Sequence, residues 1–331
     1  MSAKPFAVAI SDVHYDLATL DRADACFRMA IDKAAELNVP LIDLGDLTHT
    51  KAILRAEVIN RLLETSKYAA DKGVDIWSLV GNHSLLNEKT PGVHALEFLK
   101  APHWLILKSP LKFGKAGFIP YQSDPAKFME AIESFPKGTL VFGHQGTKDG
   151  VMGDYVQDPS AVDSKAIKDW RVFLGHYHAH YTLHNTVSVG NPYTLTFGEA
   201  NDPYKGFLVI YEDGSFERIK TKQPKHVIYN FEVRDKNSWN TSNHSPGDKV
   251  WVKLRGLTSE LASMPKSEVA SRLGLEDFKF DKIPYDTPEA INKPPVQPKS
   301  DSEIFDSLVE GLNDTAEEKE VLKALWREVI S

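Results

Sequence analysis

Five short clusters in this chain carry side chains suited to holding metal ions: Asp12-Val13-His14, Gly45-Asp46, Gly81-Asn82-His83, Gly143-His144 and Gly175-His176-Tyr177-His178. Imidazole, carboxylate and amide oxygen without thiolate form a donor set for manganese, iron or zinc rather than calcium or magnesium. The seven ligand types among them, Asp12, His14, Asp46, Asn82, His144, His176 and His178, are too many for one ion. Two ions sharing one bridging carboxylate would use them well. Such a pair favours phosphoryl transfer, because it clamps the attacking and the leaving oxygen together. His83 remains as a spare imidazole.

Each cluster follows an apolar run. Phe6–Ile10 reads as a buried strand ending at Ser11-Asp12, Leu41–Leu44 as a second ending at Gly45-Asp46, and Ile76–Val80 as a third ending at Gly81-Asn82-His83. Between them, Leu20, Phe27, Ala30, Ile31, Ala34 and Leu37 predict a helix over 19–37, stopped by Pro40. Ile53, Val58, Ile59, Leu62 and Leu63 predict another over 52–71, with Gly73 at its cap. Strands alternating with helices argue for a layered α/β domain, in which ligands bind beyond the carboxyl ends of the strands. Further strands are expected at Leu105–Leu107, Gly117–Ile119, Thr139–Phe142 and Val172–Leu174. A β-rich stretch over 181–219 follows and closes in a hairpin at Glu212-Asp213-Gly214.

The rest of the chain has a different character. Residues 229–283 read as a small α+β unit, and 284–299 hold five prolines, the mark of a stiff linker. Beyond it Ile304, Phe305, Leu308, Val309 and Leu312 line one predicted helix. Val321, Leu322, Leu325, Trp326, Val329 and Ile330 line a second, opened by a capping box at Thr315 and Glu318. The chain of 331 residues carries a net charge of −7, but 301–331 alone holds nine acids and three bases. The body is therefore nearly neutral, and no broad basic surface for gripping nucleic acid by charge is visible in the totals. One cysteine, Cys26, excludes an internal disulfide and a cysteine zinc site, and it reads as inert core. No membrane span and no leader with a cleavage site are expected, so the cytoplasm (of the host, if phage-encoded) is the expected location.

The motif order D-x-H, G-D, G-N-H, G-H, G-H-x-H resembles the calcineurin-like metallophosphoesterase superfamily over roughly residues 6–200. Gly45-Asp46-Leu47-Thr48-His49 and the segment Gly190-Asn191-Pro192 through Phe197-Gly198-Glu199 further resemble SbcD-type DNA double-strand-break exonucleases, in a compact phage-like form. That resemblance implies a four-layer α/β/β/α sandwich over 1–222 and a small α+β DNA-capping domain over 223–283. It also implies a linker over 284–300 and a C-terminal helix pair over 301–331 that docks on an SbcC-type ATPase. It assigns Asp12, His14 and His178 to a first metal, Asp46 to a bridge, and Asn82, His144 and His176 to a second, with manganese favoured. His83 would protonate the leaving oxygen, and His49 would position the phosphate or nucleotide. A homodimer joined through helices near 52–72 and 86–100 is implied, with DNA as substrate and 5′ phosphates as products.

One departure stands out. The family follows G-N-H with Asp or Glu, whereas here Ser84 does. Either another acid such as Glu88 substitutes, or His83 acts mainly by hydrogen bonding. Rival readings are a phosphodiesterase for small nucleotides, a protein phosphatase, disfavoured because GDLTHT and GNHS lack that branch's residues, and a metal-binding scaffold without turnover. The remaining histidines, His94, His103, His180, His184, His226 and His244, read as ordinary surface or core residues.

Overall fold

Period-two alternation along the strands sorts apolar residues onto two faces, and that sorting builds the architecture. A computed structural model describes residues 3–50, 53–85, 93–150, 158–200 and 202–285. The chain runs β1 (Pro5–Ile10), α1 (Leu20–Leu37), β2 (Leu41–Asp43), α2 (Ala56–Asp71), β3 (Ile76–Leu79), β4 (Trp104–Leu107), β5 (Leu111–Phe113), β6 (Ala116–Ile119), α3 (Pro125–Glu133) and β7 (Leu140–His144). It continues β8 (Arg171–Gly175), β9 (Tyr181–Leu183), β10 (Thr186–Ser188), β11 (Gly206–Tyr211), β12 (Phe216–Lys220), β13 (His226–Glu232), β14 (Lys249–Gly256), α4 (Thr258–Ala262), α5 (Lys266–Leu273) and β15 (Lys279–Pro284).

One sheet has the order β12-β11-β1-β2-β3-β4, and a second has β5-β6-β7-β8-β10-β9. On β1, Ala7 and Ala9 join Ile42, Phe118, Phe142, Phe173 and Leu208 in the core between the sheets. Val8 and Ile10, one residue out of phase, pack instead with Phe27, Ile31 and Leu62 of α1 and α2. On the second sheet, Val141, Val172 and Leu174 face outward against Phe128 and Ile132 of α3. The layers are thus helix, sheet, sheet, helix, the α/β/β/α order that the resemblance implies. Phe142 stacks on Phe118 at 5.5 Å and Phe173 at 5.7 Å. Truncating so buried a ring costs about 3–5 kcal/mol, and it stands two residues before His144.

Neighbours β1, β2 and β3 are parallel, as are β7 and β8. Their register pairs Ile10 with Asp43, Asp43 with Ser78, and His144 with Gly175. All five clusters are thereby brought to the carboxyl ends of strands at one end of the sandwich. A third sheet, β13-β14-β15, is parallel throughout and has its own core of Val252, Leu254, Leu261, Val269 and Phe278.

Several elements differ from expectation. The α3 helix, too short for strong periodicity, starts at Pro125, with the Asp124 side chain accepting from Ala126 N at 2.9 Å. Pro284, read as linker, ends β15 at a sheet edge, where a missing N–H breaks no ladder. Of the helix sought over 86–100, the described residues show only a 3-10 turn at Glu97–Leu99. Glu88, the remaining linker and the helix pair over 301–331 lie outside the described residues. No described helix is long and apolar enough to cross a membrane.

Candidate metal centre

The structure brings the ligand atoms of Asp12, His14 and His178 within 4.8 Å of one another, and those of Asp46, His144 and His176 likewise. Asn82 joins the second group. Its Oδ1 lies 3.0 Å from both His144 Nε2 and His176 Nδ1. The two groups adjoin: Asp46 Oδ2 lies 3.4 Å from His144 Nε2, and the same carboxylate acts electrostatically on His14. His14, His49 and His83 form a third convergence within 4.8 Å, on the more open side. Every residue anticipated from the sequence is therefore in one place.

Backbone geometry, not only side-chain choice, makes this possible. Asp12, His14, Asp46 and His176 have φ of 52°, 51°, 54° and 97°, a left-handed region that non-glycine residues rarely occupy. Such conformations bend the chain back after each strand and aim the side chains into a shared space. Two glycines permit close approach. A Cβ at Gly45 (φ 105°) would sit 2.5 Å from His144 Nδ1, and one at Gly81 would collide with Asp46 Oδ1. Tyr193 ties the first loop down by donating its hydroxyl to Val13 O at 2.6 Å.

Each inner imidazole is oriented through its other nitrogen. His144 Nδ1 donates to Leu44 O at 2.7 Å, His176 Nε2 to Asp158 Oδ2 at 3.0 Å, and His178 Nδ1 to Glu199 Oε1 at 2.9 Å. These partners fix tautomer and ring direction, the role outer groups play around metal sites. The Asp12 carboxylate accepts from Ser11 Oγ at 2.5 Å and His176 N at 3.0 Å, and Asp46 Oδ1 accepts from His83 N at 2.9 Å.

The donor chemistry supplies a test of whether cations fit. With Nδ1 of His144 and Nε2 of His176 committed as donors, their inward nitrogens present lone pairs to Asn82 Oδ1, itself an acceptor. His14 Nε2 and His178 Nε2 face each other at 3.2 Å, where one proton or one cation serves both. Acceptors confronting acceptors at these distances form a site short of positive charge, which divalent cations satisfy. Titration behaviour agrees. Burial alone would lower His144, yet the Asp46 carboxylate outweighs it and raises it, the mark of a place that favours positive charge. Burial would raise Asp46, but His144, His14 and His83 together hold it low. Burial dominates at His14 and lowers it to about 3, leaving a neutral ligand.

His83 answers the question posed by Ser84. Its Nδ1 donates to the backbone carbonyl of His49 at 2.6 Å, which leaves Nε2 as the reactive nitrogen. A main-chain oxygen thus does the orienting that a carboxylate does elsewhere, and Ser84 is fully buried with no partner for its hydroxyl among the described residues. The His49 and His83 rings stack at 5.5 Å.

Sequence reasoning missed Asp158 and the carbonyls of Leu44 and His49. Burial would raise Asp158, but its hydrogen bonds from His176 and Ser160 bring it down to about 2. Glu199, noted only within a resembling segment, is likewise taken to about 2, His178 and Lys205 outweighing burial. His180 spends its Nδ1 on Ser188 O at 2.8 Å, outside the clusters.

No family model matches the chain, and no curated protein matches it. Among solved structures it is similar to a dimetal phosphatase from Danio rerio, at 13% identity and a TM-score of 0.32, over 63% of this chain and 93% of that one. An overlap that loose carries no weight for the reaction, and the chemistry of the site rests on its own geometry.

Proposed function

We propose that this protein is a two-cation phosphodiesterase acting on DNA ends, the nuclease subunit of an SbcCD-type assembly. The observation that carries the reading is the pair of adjoining ligand groups, Asp12–His14–His178 and Asp46–Asn82–His144–His176, with His83 beside them. Two divalent cations, of the manganese, iron or zinc that the donor set admits and with manganese favoured by the resemblance, would supply Lewis-acid polarisation of a phosphate and activation of water. Among the seven ligands only Asp12 and Asp46 carry negative charge, so two divalent cations would leave the site positive and attractive to an anionic diester.

The chain's own residues do the rest. Asp12, His14 and His178 would hold one cation and Asn82, His144 and His176 the other, with Asp46 serving both. His83, its Nδ1 pinned on the His49 carbonyl, presents Nε2–H to the leaving 3′ oxygen and hands over that proton. His49, stacked beside it on the exposed rim, steadies the phosphate.

A polymer substrate is favoured by the third sheet. There Lys253 and Lys279 place their ammonium groups 3.9 Å and 3.5 Å from the Trp251 ring centre, a cationic surface suited to phosphates. Residues 223–283 carry ten bases and eight acids, so this unit is mildly positive where the tail is acidic. The proposed partners are DNA, an SbcC-type ATPase met through 301–331, and a second copy of the chain.

Manganese-dependent hydrolysis of linear duplex DNA, leaving 5′ phosphates, tests the reading. His83→Ala should lower turnover about 10²–10⁴-fold while two cations stay bound. Hydrolysis of bis(p-nitrophenyl) phosphate but not DNA would point to a small-nucleotide enzyme, and no turnover with two cations bound to a scaffold.

A further inference from the structure

The segment Asn191–Glu199 touches the metal centre on one side and the third sheet on the other. Toward the metal centre, Glu199 accepts from His178 Nδ1 through Oε1 and is itself held through Oε2 by Asn191 Nδ2 at 3.0 Å, Leu195 N at 3.1 Å and Lys205 Nζ at 2.9 Å. Tyr193 in the same segment holds Val13, between two ligands of the first cation. Toward the third sheet, Phe197 sets its ring edge-on to His226 at 4.8 Å and Trp251 at 5.3 Å. Thr194 Oγ1 bonds His226 through both its backbone N and its Nδ1, each at 2.9 Å, and Arg22 Nη1 reaches Thr194 O at 3.2 Å and Pro224 O at 3.3 Å. Phe197 and Glu199 share one 3-10 turn, closed by Glu199 N to Thr196 O and Ala200 N to Phe197 O.

The two cation groups differ in this respect. Ligands of the second are oriented by Leu44 O and Asp158, neither of which belongs to this segment. Among the described residues only the first, through His178 and the Val13 loop, is wired to it.

We propose that the Phe197–Glu199 turn is a positioning device that sets the affinity of the first cation group according to how the third sheet is seated. Glu199 fixes the His178 ring, and Phe197 transmits the seating of Trp251 and His226 to Glu199. This rests on the two-cation reading. Linkage then works both ways: whatever displaces Trp251 alters binding of the first cation, and that cation alters affinity for whatever binds at Trp251.

Calorimetric titration of the metal-free full chain with manganese tests this without any substrate. Wild type should show two binding events. Glu199→Gln should weaken one of them about 10–100-fold and spare the other. Phe197→Ala and Trp251→Ala should each weaken that same event about three- to tenfold, the double variant should be no worse than either single one, and Phe197→Tyr should restore it. Affinities within twofold of wild type for Phe197→Ala and Trp251→Ala, or equal losses at both events, would overturn the coupling. Uptake of fewer than two cations by wild type would instead overturn the two-cation reading, and this inference with it.

Discussion

Gly81→Ala probes the metal centre without removing a ligand. Gly81 has φ −88° and ψ 174°, ordinary extended backbone, so alanine incurs no conformational strain there. The obstacle is steric. The new Cβ would collide with Asp46 Oδ1 and lie 2.5 Å from Asp46 N, where ordinary contact begins at 3.4 Å. Neither neighbour is the free end of a flexible chain, because Asp46 is wholly buried and its Oδ1 already accepts from His83 N. The aspartate must therefore retreat by about 1 Å, a misplacement that costs on the order of 10²-fold in turnover. Cation affinity should fall about 10–100-fold, or about 1.4–2.8 kcal/mol, and overpacking should remove about 1–3 kcal/mol of stability. Gly73→Ala is the control: its φ is +69° with nothing within 4 Å of the new Cβ. It should lose about 1–2 kcal/mol of stability from the left-handed backbone alone and leave cation binding untouched. Manganese calorimetry, thermal melting and diesterase turnover read all three quantities. If Gly81→Ala bound two cations at wild-type affinity with wild-type turnover, the placement of Asp46 between the groups would be refuted.

Three other outcomes are expected. Asp158→Asn removes the carboxylate holding His176 and should weaken the second manganese event about 10–100-fold in calorimetry; an unchanged isotherm would count against the role given to Asp158. In chelated protein the raised His144 contributes stability that is complete below the imidazole's unfolded value of 6.5 and is lost as pH climbs through its higher folded value. The melting temperature of metal-free protein should therefore fall from pH 6.5 into the alkaline range, with a shallower slope in Asp46→Asn; equal slopes would contradict the pairing. Ser84→Asp forces a carboxylate into a fully buried position while His83 Nδ1 is already engaged. Thermal melting should show a loss of about 1–3 kcal/mol and the pH–rate profile should keep its shape, whereas a displaced profile would show that the His49 carbonyl does not suffice.

Much of this was readable from sequence because each ligand sits just after an apolar run, and parallel pairing brings the ends of such runs together. The residues that orient the ligands were not readable, for physical reasons. Leu44 and His49 act through main-chain carbonyls, so their side chains announce nothing. Asp158 follows no apolar run in the sequence and carries no motif, and only the fold brings it to His176. Glu199 could be noticed as part of a segment, but its bond to His178 is a tertiary contact. The nine-residue α3 helix and the three-residue β5 offered too few residues for a period to emerge, and in β15 the charged Lys279, Asp281 and Lys282 break up its apolar positions. The left-handed backbone at Asp12, His14, Asp46 and His176 left its only trace in the choice of Asp and His, residue types that tolerate it better than most.

Those four residues bear on how such a site persists over generations. Each left-handed position withholds about 1 kcal/mol or more from the fold, and glycine at any of them would release it. A lineage with no use for the cations would drift toward glycine wherever that release exceeds the bonds the side chain makes and the entropy cost of glycine. Retention of aspartate or histidine at all four positions is what continued selection for a loaded centre would leave behind, and the melting temperature of a His176→Gly variant, free of metal, measures how strong that selection has to be.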